Sequence, residues 1–275
     1  MLSLKKEIIN ISQKYHCFPK KYLGQNFLID NDTIKEIIKT ANLSLKDIVL
    51  EIGPGSGILT RELAKKSKQV IAIEKDRRMI KILKEELKNY KNIKIIESDI
   101  LKIDFRFLPR GSYKIVSNPP YYLVLHLIRK FLESKFPPKL MVLLVQKEVG
   151  ERICALPPKM NLAAVAVQLY SKPEIIKIIK KDSSWPQPKV DSVLIKISQI
   201  KKTSSLDLDS FFRIVKAGFS HPRKQLKNNL KKIFKEKTEE ILKTHGIDSS
   251  QRVETIPLKK WLELTAFVKS NKNNP

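Results

Sequence analysis

Between Asp47 and Ser198 the chain alternates short apolar runs rich in β-branched residues with amphipathic or turn-like stretches, and this alternation constrains the fold more than any other feature. The runs are IVLEI (48–52), VIAIE (70–74), IKIIE (93–97), YKIVS (113–117), LMVLLVQ (140–146), AVAVQLY (164–170) and SVLIKIS (192–198). Strands with so few polar positions are buried on both faces, which predicts a mostly parallel sheet covered by helices on either side. Ile34, Ile37, Ile38 and Ala41, and then Met79, Ile80, Leu83 and Leu87, recur near helical spacing and predict two of the covering helices. Beyond residue 200 only helical patterns remain, from Ser210 to about Ser270, with a glycine-containing break around Thr244–Asp248. The predicted organisation is a Rossmann-like α/β domain over 1–200 and a small all-helical domain over 201–275.

The first run ends in Glu51-Ile52-Gly53-Pro54-Gly55-Ser56-Gly57 and passes directly into a helical pattern, so the glycines fall where a strand turns tightly into a helix and backbone can approach a ligand. Glycines in this pattern also occur in nucleotide-binding enzymes of other kinds. The next two runs narrow the choice. Glu74 closes the second run, where an acidic side chain can accept hydrogen bonds from two ribose hydroxyls, and Asp99 follows the third, where a carboxylate can accept the amino hydrogens of an adenine. Three such positions at consecutive strand ends fit one adenosine. A negative Glu51 beside the loop would repel a diphosphate but tolerate a sulfonium and an ammonium group, which favours S-adenosyl-L-methionine over a dinucleotide.

The fourth run ends in Asn118-Pro119-Pro120-Tyr121, at the same edge of the sheet. An exocyclic purine amine is a poor nucleophile because its lone pair is delocalised into the ring. Acceptance of its two hydrogens by the Asn118 side-chain oxygen and the Pro119 carbonyl favours a more tetrahedral nitrogen. The prolines stiffen the loop, and Tyr121 or Tyr122 can stack on a flipped base, a contact worth roughly 1–3 kcal/mol. Asn118, Pro119 and Tyr121 are the candidate catalytic residues. The bland reading is a proline-rich turn closing a strand.

The composition fits a nucleic-acid substrate without requiring one. Lys and Arg number 54 against 28 Asp and Glu, a formal net charge of +26 that favours polyanions. The excess is mostly lysine spread over helix faces, which a lysine-rich proteome would also produce. No window approaches the roughly 18 uncharged apolar residues of a membrane span, and the first residues carry no secretory pattern, so a cytoplasmic location without membrane attachment is expected. Cys17 and Cys154 form no CxxC pair and have no histidine at ligand spacing, so no metal site is expected. The four histidines lack a partner carboxylate at readable spacing, and none is given a catalytic role.

Together these residues resemble the ribosomal RNA adenine N6,N6-dimethyltransferases of KsgA type, a group related to the erythromycin-resistance rRNA methylases. The resemblance spans nearly the whole chain. Lys21-Tyr22-Leu23-Gly24-Gln25-Asn26-Phe27-Leu28 is similar to the family's amino-terminal motif, and the glycine loop, Glu74 and Asp99 match its adenosine-contacting motifs. Further similar stretches are Leu144–Val149 with Arg152, Pro186–Ser192, and Phe219 with Arg223, Lys224 and Leu226. The resemblance implies cofactor contacts at Asn26, Leu28, Gly53, Glu74, Asp99 and Asn118. It also implies dimethylation of two adjacent adenines in a 3′-terminal hairpin of small-subunit (16S) rRNA, on a 30S assembly intermediate during ribosome biogenesis. A monomer is expected, with the helical domain contributing RNA contacts. The rivals are a resistance-type methylase of 23S rRNA, against which the LGQNFL form and Arg252-Val253-Glu254 argue, and an assembly factor that no longer methylates. Two departures stand out. The family more often has an aliphatic residue at Pro119, and the NPPY form also occurs in methyltransferases of DNA bases or protein glutamine. The stretch Ser220-His221-Pro222-Arg223-Lys224 interrupts what is elsewhere a more continuous basic run.

Overall fold

The computed structural model describes residues 3–20, 24–108, 112–203 and 206–272, so Lys21-Tyr22-Leu23 of the amino-terminal motif lies outside the described residues. In chain order the elements are α1 (Leu4–Lys14), β1 (Phe27–Leu28), α2 (Asn31–Ala41), β2 (Ile48–Ile52), α3 (Ile58–Ala64), β3 (Gln69–Glu74), α4 (Arg77–Glu86), β4 (Ile93–Glu97), β5 (Tyr113–Ser117) and α5 (Val124–Leu132). They continue with β6 (Leu140–Gln146), α6 (Lys147–Ile153), α7 (Leu162–Tyr170), β7 (Lys172–Ile179), β8 (Ser184–Trp185), β9 (Ser192–Ser198), α8 (Leu208–Gly218), α9 (Leu226–Phe234), α10 (Thr238–Thr244) and α11 (Leu258–Lys272).

Seven strands form one sheet in the order β4-β3-β2-β5-β6-β9-β7. The first five are mutually parallel, and β9 and β7 are antiparallel additions. This is the doubly wound arrangement that the alternating runs predict, with its strand order reversing between β2 and β5. Open sheets of this kind bind ligands in the crevice at that reversal, outside the carboxyl ends of the strands. The crevice has a local cause. Backbone pairing of β2 with β5 runs only to Leu50–Ile115, and beyond it the Ser117 hydroxyl donates to the Ile52 carbonyl at 2.6 Å and accepts from the Ile52 amide at 3.3 Å. One side chain thereby substitutes for ladder bonds at the point where the strands splay.

The helices form for readable reasons. Asp30 caps α2 by accepting from the Asp32 and Thr33 amides, and Asp76 caps α4 by accepting from the Arg78 amide. Ile34, Ile37 and Ala41 of α2 and Leu59 and Leu63 of α3 bury against Val49, Val70, Val116, Val142 and Leu194 of the sheet.

Two expectations need correction. The AVAVQLY run is helical: it is the body of α7, where Asn161 caps the first turn by accepting from the Ala164 amide at 3.0 Å. Ala164, Val165, Val167, Leu169 and Tyr170 are all buried, so the run shows no polar face from which a helical period could be read. The strand is instead the following stretch KPEIIKII, an edge strand whose Pro173, lysines and exposed Ile176 and Ile178 hide its type. The domain boundaries also differ. One unit comprises 1–150 with 171–200, and the other comprises 151–170 with 201–275. The 151–170 segment groups with the helical unit because the Met160 amide donates to the Glu254 carbonyl, and the Lys201 amide to the Tyr170 carbonyl, both at 2.9 Å.

Candidate active site

The carboxyl ends of β2, β3, β4 and β5 deliver Glu51 with the glycine loop, Glu74, Asp99 and Asn118 in turn. Backbone bonds fix their heights, with the Gly53 amide donating to the Ile73 carbonyl and the Ser98 amide to the Glu74 carbonyl, each at 2.9 Å. These ends surround a cavity of about 360 Å³, a volume in the range of small-ligand sites. Its lining includes Asn26, Leu28, Gly53, Glu74, Asp99 and Asn118, so all six residues expected to contact a cofactor meet on one surface.

Glycine is required wherever it occurs in the loop, and two positions show why. Gly53 has φ +66°, and a Cβ there would lie 3.2 Å from Pro120; Gly55 has φ +56°, and a Cβ there would lie 2.6 Å from the Phe27 ring. The loop is therefore clasped by Pro120 of the NPPY turn on one side and by β1 on the other. β1 is held in turn by antiparallel pairing with β8, Phe27 opposite Trp185 and Leu28 opposite Ser184. Trp185 packs against the main core and does not line the cavity. Gln25 adds a tie by accepting from the Lys20 amide at 2.8 Å and donating to Asp76 at 3.1 Å.

The acids differ in state. Asp99 accepts from the Leu101 amide at 3.0 Å and pairs with the Lys75 ammonium at 2.9 Å, and these bonds hold its carboxyl below the usual range. Glu74 is buried, which pushes its carboxyl up, while bonds from the Asp76 and Lys75 amides at 2.8 Å oppose the shift. Glu51 is 1% exposed, and its Oε2 atom has no hydrogen-bond partner among the described residues. Burial pushes its carboxyl up to about 8, with Glu74 adding to the shift. The expectation of a negative Glu51 that repels a diphosphate by charge is therefore corrected, because at neutral pH this carboxyl holds its proton. What it offers a cation is a buried acid that ionises when a positive group arrives to offset the desolvation cost.

Asn118 has a defined orientation. Its amide nitrogen donates to the Asn26 carbonyl at 2.8 Å, and an acceptor there requires the NH₂ end of the side chain. That bond leaves Oδ1 as the end of the side chain able to accept from a ligand, and Asn118 is one of the cavity-lining residues. Of the other two candidate catalytic residues, Pro119 is buried and Tyr121 half-buried, and neither lines the cavity. The Tyr121 hydroxyl shares a 2.8 Å hydrogen bond with the Ser192 hydroxyl. Tyr122, which is 59% exposed, is the tyrosine at the cavity surface. Lys75 and Ser117 have structural parts in the site that the sequence reading missed, and Pro120, expected to stiffen its own turn, also packs against the glycine loop. Lys75 was signalled only by its position directly after Glu74.

A family model described as "Ribosomal RNA adenine dimethylase" matches residues 18–270. The chain is 41% identical over 270 residues to the "Ribosomal RNA small subunit methyltransferase A" of Clostridium botulinum (strain Loch Maree / Type A3), covering 94% of this chain and 96% of that one. Among solved structures it is similar to a dimethyladenosine transferase from Plasmodium falciparum, with TM-score 0.76 and 27% identity over 90% of this chain and 98% of that one. It is also similar to the 23S rRNA methyltransferase ErmE, with TM-score 0.74 and 25% identity over 89% of this chain and all (100%) of that one.

Proposed function

Because this chain belongs to the ribosomal RNA adenine dimethylase family, we propose that it dimethylates N6 of two adjacent adenines in a 3′-terminal hairpin of small-subunit rRNA, using S-adenosylmethionine, during ribosome biogenesis. The small-subunit assignment follows the name of the 41%-identical relative rather than that of the 25%-identical ErmE. The observation that carries the chemical reading is the Asn118 amide, pinned by the Asn26 carbonyl so that its oxygen is free to accept.

The residues present fit the cofactor. Glu74 and Asp99 supply carboxylate acceptors for an adenosine, and the orphaned Glu51 oxygen suits a cationic group. S-Adenosylmethionine supplies an electrophilic methyl carbon on a sulfonium. Asn118 Oδ1 and the Pro119 carbonyl take up the hydrogens of the substrate amine and turn its lone pair outward, which is positioning and preorganised electrostatics rather than acid–base work. The stacked face for the flipped adenine is assigned to Tyr121. The lysine-rich chain supplies phosphate contacts, with Arg223, Lys224, Lys227 and Lys231 in the helical unit.

The test is transfer of labelled methyl groups to undermethylated small subunits, 23S rRNA or DNA, with mapping of the labelled base. Label at N6 of adenine in small subunits supports the reading, and label confined to 23S rRNA or DNA replaces it. Asn118→Ala should abolish transfer while changing cofactor affinity little, so near-normal turnover would remove Asn118 from its role.

A further inference from the structure

The motif ending in Asp191-Ser192 lies outside the cavity, yet it converges on the NPPY turn. Asp191 is a bracket. Its carboxylate accepts from the Lys181 amide at 3.0 Å and the Lys180 ammonium at 3.2 Å, and its carbonyl accepts from the Lys147 amide at 3.0 Å. Ser192 opens β9 and is paired on both sides, with Gln146 of β6 and Ile179 of β7. It is 4% exposed, and its hydroxyl meets the Tyr121 hydroxyl at 2.8 Å. Its backbone is thus held by two neighbouring strands, whereas Tyr121 sits on a single 3₁₀ turn, Tyr121–Leu123, closed by the Leu123 amide donating to the Pro120 carbonyl at 3.0 Å. No ring–ring contact involves Tyr121 among the described residues. The serine is the more firmly held partner of the pair.

We propose that Ser192 is a positioning residue for the target base, fixing the Tyr121 ring at the angle at which a flipped adenine stacks while its amine meets Asn118. The inference rests on the assignment of Tyr121 as the stacking face. Burial keeps the Tyr121 phenol neutral at working pH, so the shared hydrogen bond persists across the assay range. Without it the ring turns about its side-chain torsions and the base seats loosely. A reacting group displaced by about 1 Å loses up to about a hundredfold in rate.

The experiment uses the full chain, undermethylated small subunits and labelled S-adenosylmethionine. Single-turnover rates are measured for Ser192→Ala, Tyr121→Phe, the double variant and Tyr121→Ala, with cofactor affinity determined by calorimetry. Ser192→Ala and Tyr121→Phe should each lower the rate about tenfold, and the double variant no further, because both delete the same bond. Cofactor affinity should stay at the wild-type value in all three, and the thermal midpoint should fall only by the few degrees that one lost buried hydrogen bond costs. Near-normal rates in either single variant, additive losses in the double, or a rate loss accompanied by weakened cofactor binding would overturn the positioning role. Tyr121→Ala separates the two claims. A normal rate there removes the stacking assignment itself, whereas a large loss beside unaffected Ser192→Ala and Tyr121→Phe removes only the part given to Ser192.

Discussion

Glu51→Gln tests the buried acid at the foot of the cavity. The glutamine amide has nearly the same shape but never ionises, so the substitution isolates the titration. In the folded chain burial holds the Glu51 carboxyl up to about 8, against an ordinary value of 4.5. Between those values the unfolded chain has lost a proton that the folded chain retains, so unfolding free energy falls as pH rises, by up to about 1.4 kcal/mol per pH unit. The contribution is fully present below the unfolded value and is gone once pH passes the folded one. From about pH 5 to about pH 8 the wild type should therefore lose on the order of 4 kcal/mol relative to the variant. Urea denaturation of both proteins at the two ends of this range measures the difference, in which the other titrating groups cancel. Parallel pH profiles would refute the reasoning, because they would mean that Glu51 ionises in the folded state as readily as in water.

Two further substitutions test how the cavity is built. Gly55→Ala places a Cβ in a left-handed backbone position and 2.6 Å from the Phe27 ring; together the strain and the crowding should cost about 3 kcal/mol of stability and weaken cofactor binding, read by thermal midpoint and calorimetry. A wild-type midpoint would show that β1 does not clasp the loop. Lys130→Met removes an ammonium that donates to the Ile100, Leu101 and Ile103 carbonyls at 3.1, 2.5 and 3.3 Å. The partly solvated site should limit the stability loss to about 1–2 kcal/mol, while loosening of the loop that carries Asp99 weakens cofactor affinity. Unchanged affinity would detach that loop from the cofactor.

The parts of this molecule readable from sequence are those whose physical cause is local. Runs such as IVLEI and VIAIE lie in strands because they are buried on both faces, and the glycines of the loop are needed by the backbone at their own positions. AVAVQLY misleads because burial nearly all round a helix erases its period, and KPEIIKII is passed over because an edge strand carries the proline and lysines that protect it. Asn26 and Leu28 came only from the resemblance of the amino-terminal motif, whereas Gly53, Glu74, Asp99 and Asn118 were legible because each closes or closely follows a strand. Their states were not. Whether Glu51 holds a proton depends on Glu74, on a neighbouring strand, and on exclusion of water, neither of which has a sequence signature. The Ser192–Tyr121 contact joins residues 71 positions apart and is likewise invisible until the sheet is closed.

The two prolines of the NPPY turn have separate structural duties, which bears on the departure at residue 119. Pro120 is the keystone. A Cβ at Gly24 would lie 3.3 Å from it and one at Gly53 3.2 Å, so it fills the gap between the amino-terminal motif and the glycine loop. Those two glycines hold φ +65° and +66°, backbone that side-chain-bearing residues adopt at a cost, so the fit requires all three residues at once. The Pro119 side chain is buried away from the cavity lining. What residue 119 offers a substrate is its carbonyl, which an aliphatic residue would present equally well. The side chain at 119 therefore adjusts the packing behind the turn without touching the base, and the choice among adenine in RNA, adenine in DNA and a protein amide must be made by surfaces that the substrate reaches before its amine arrives at Asn118.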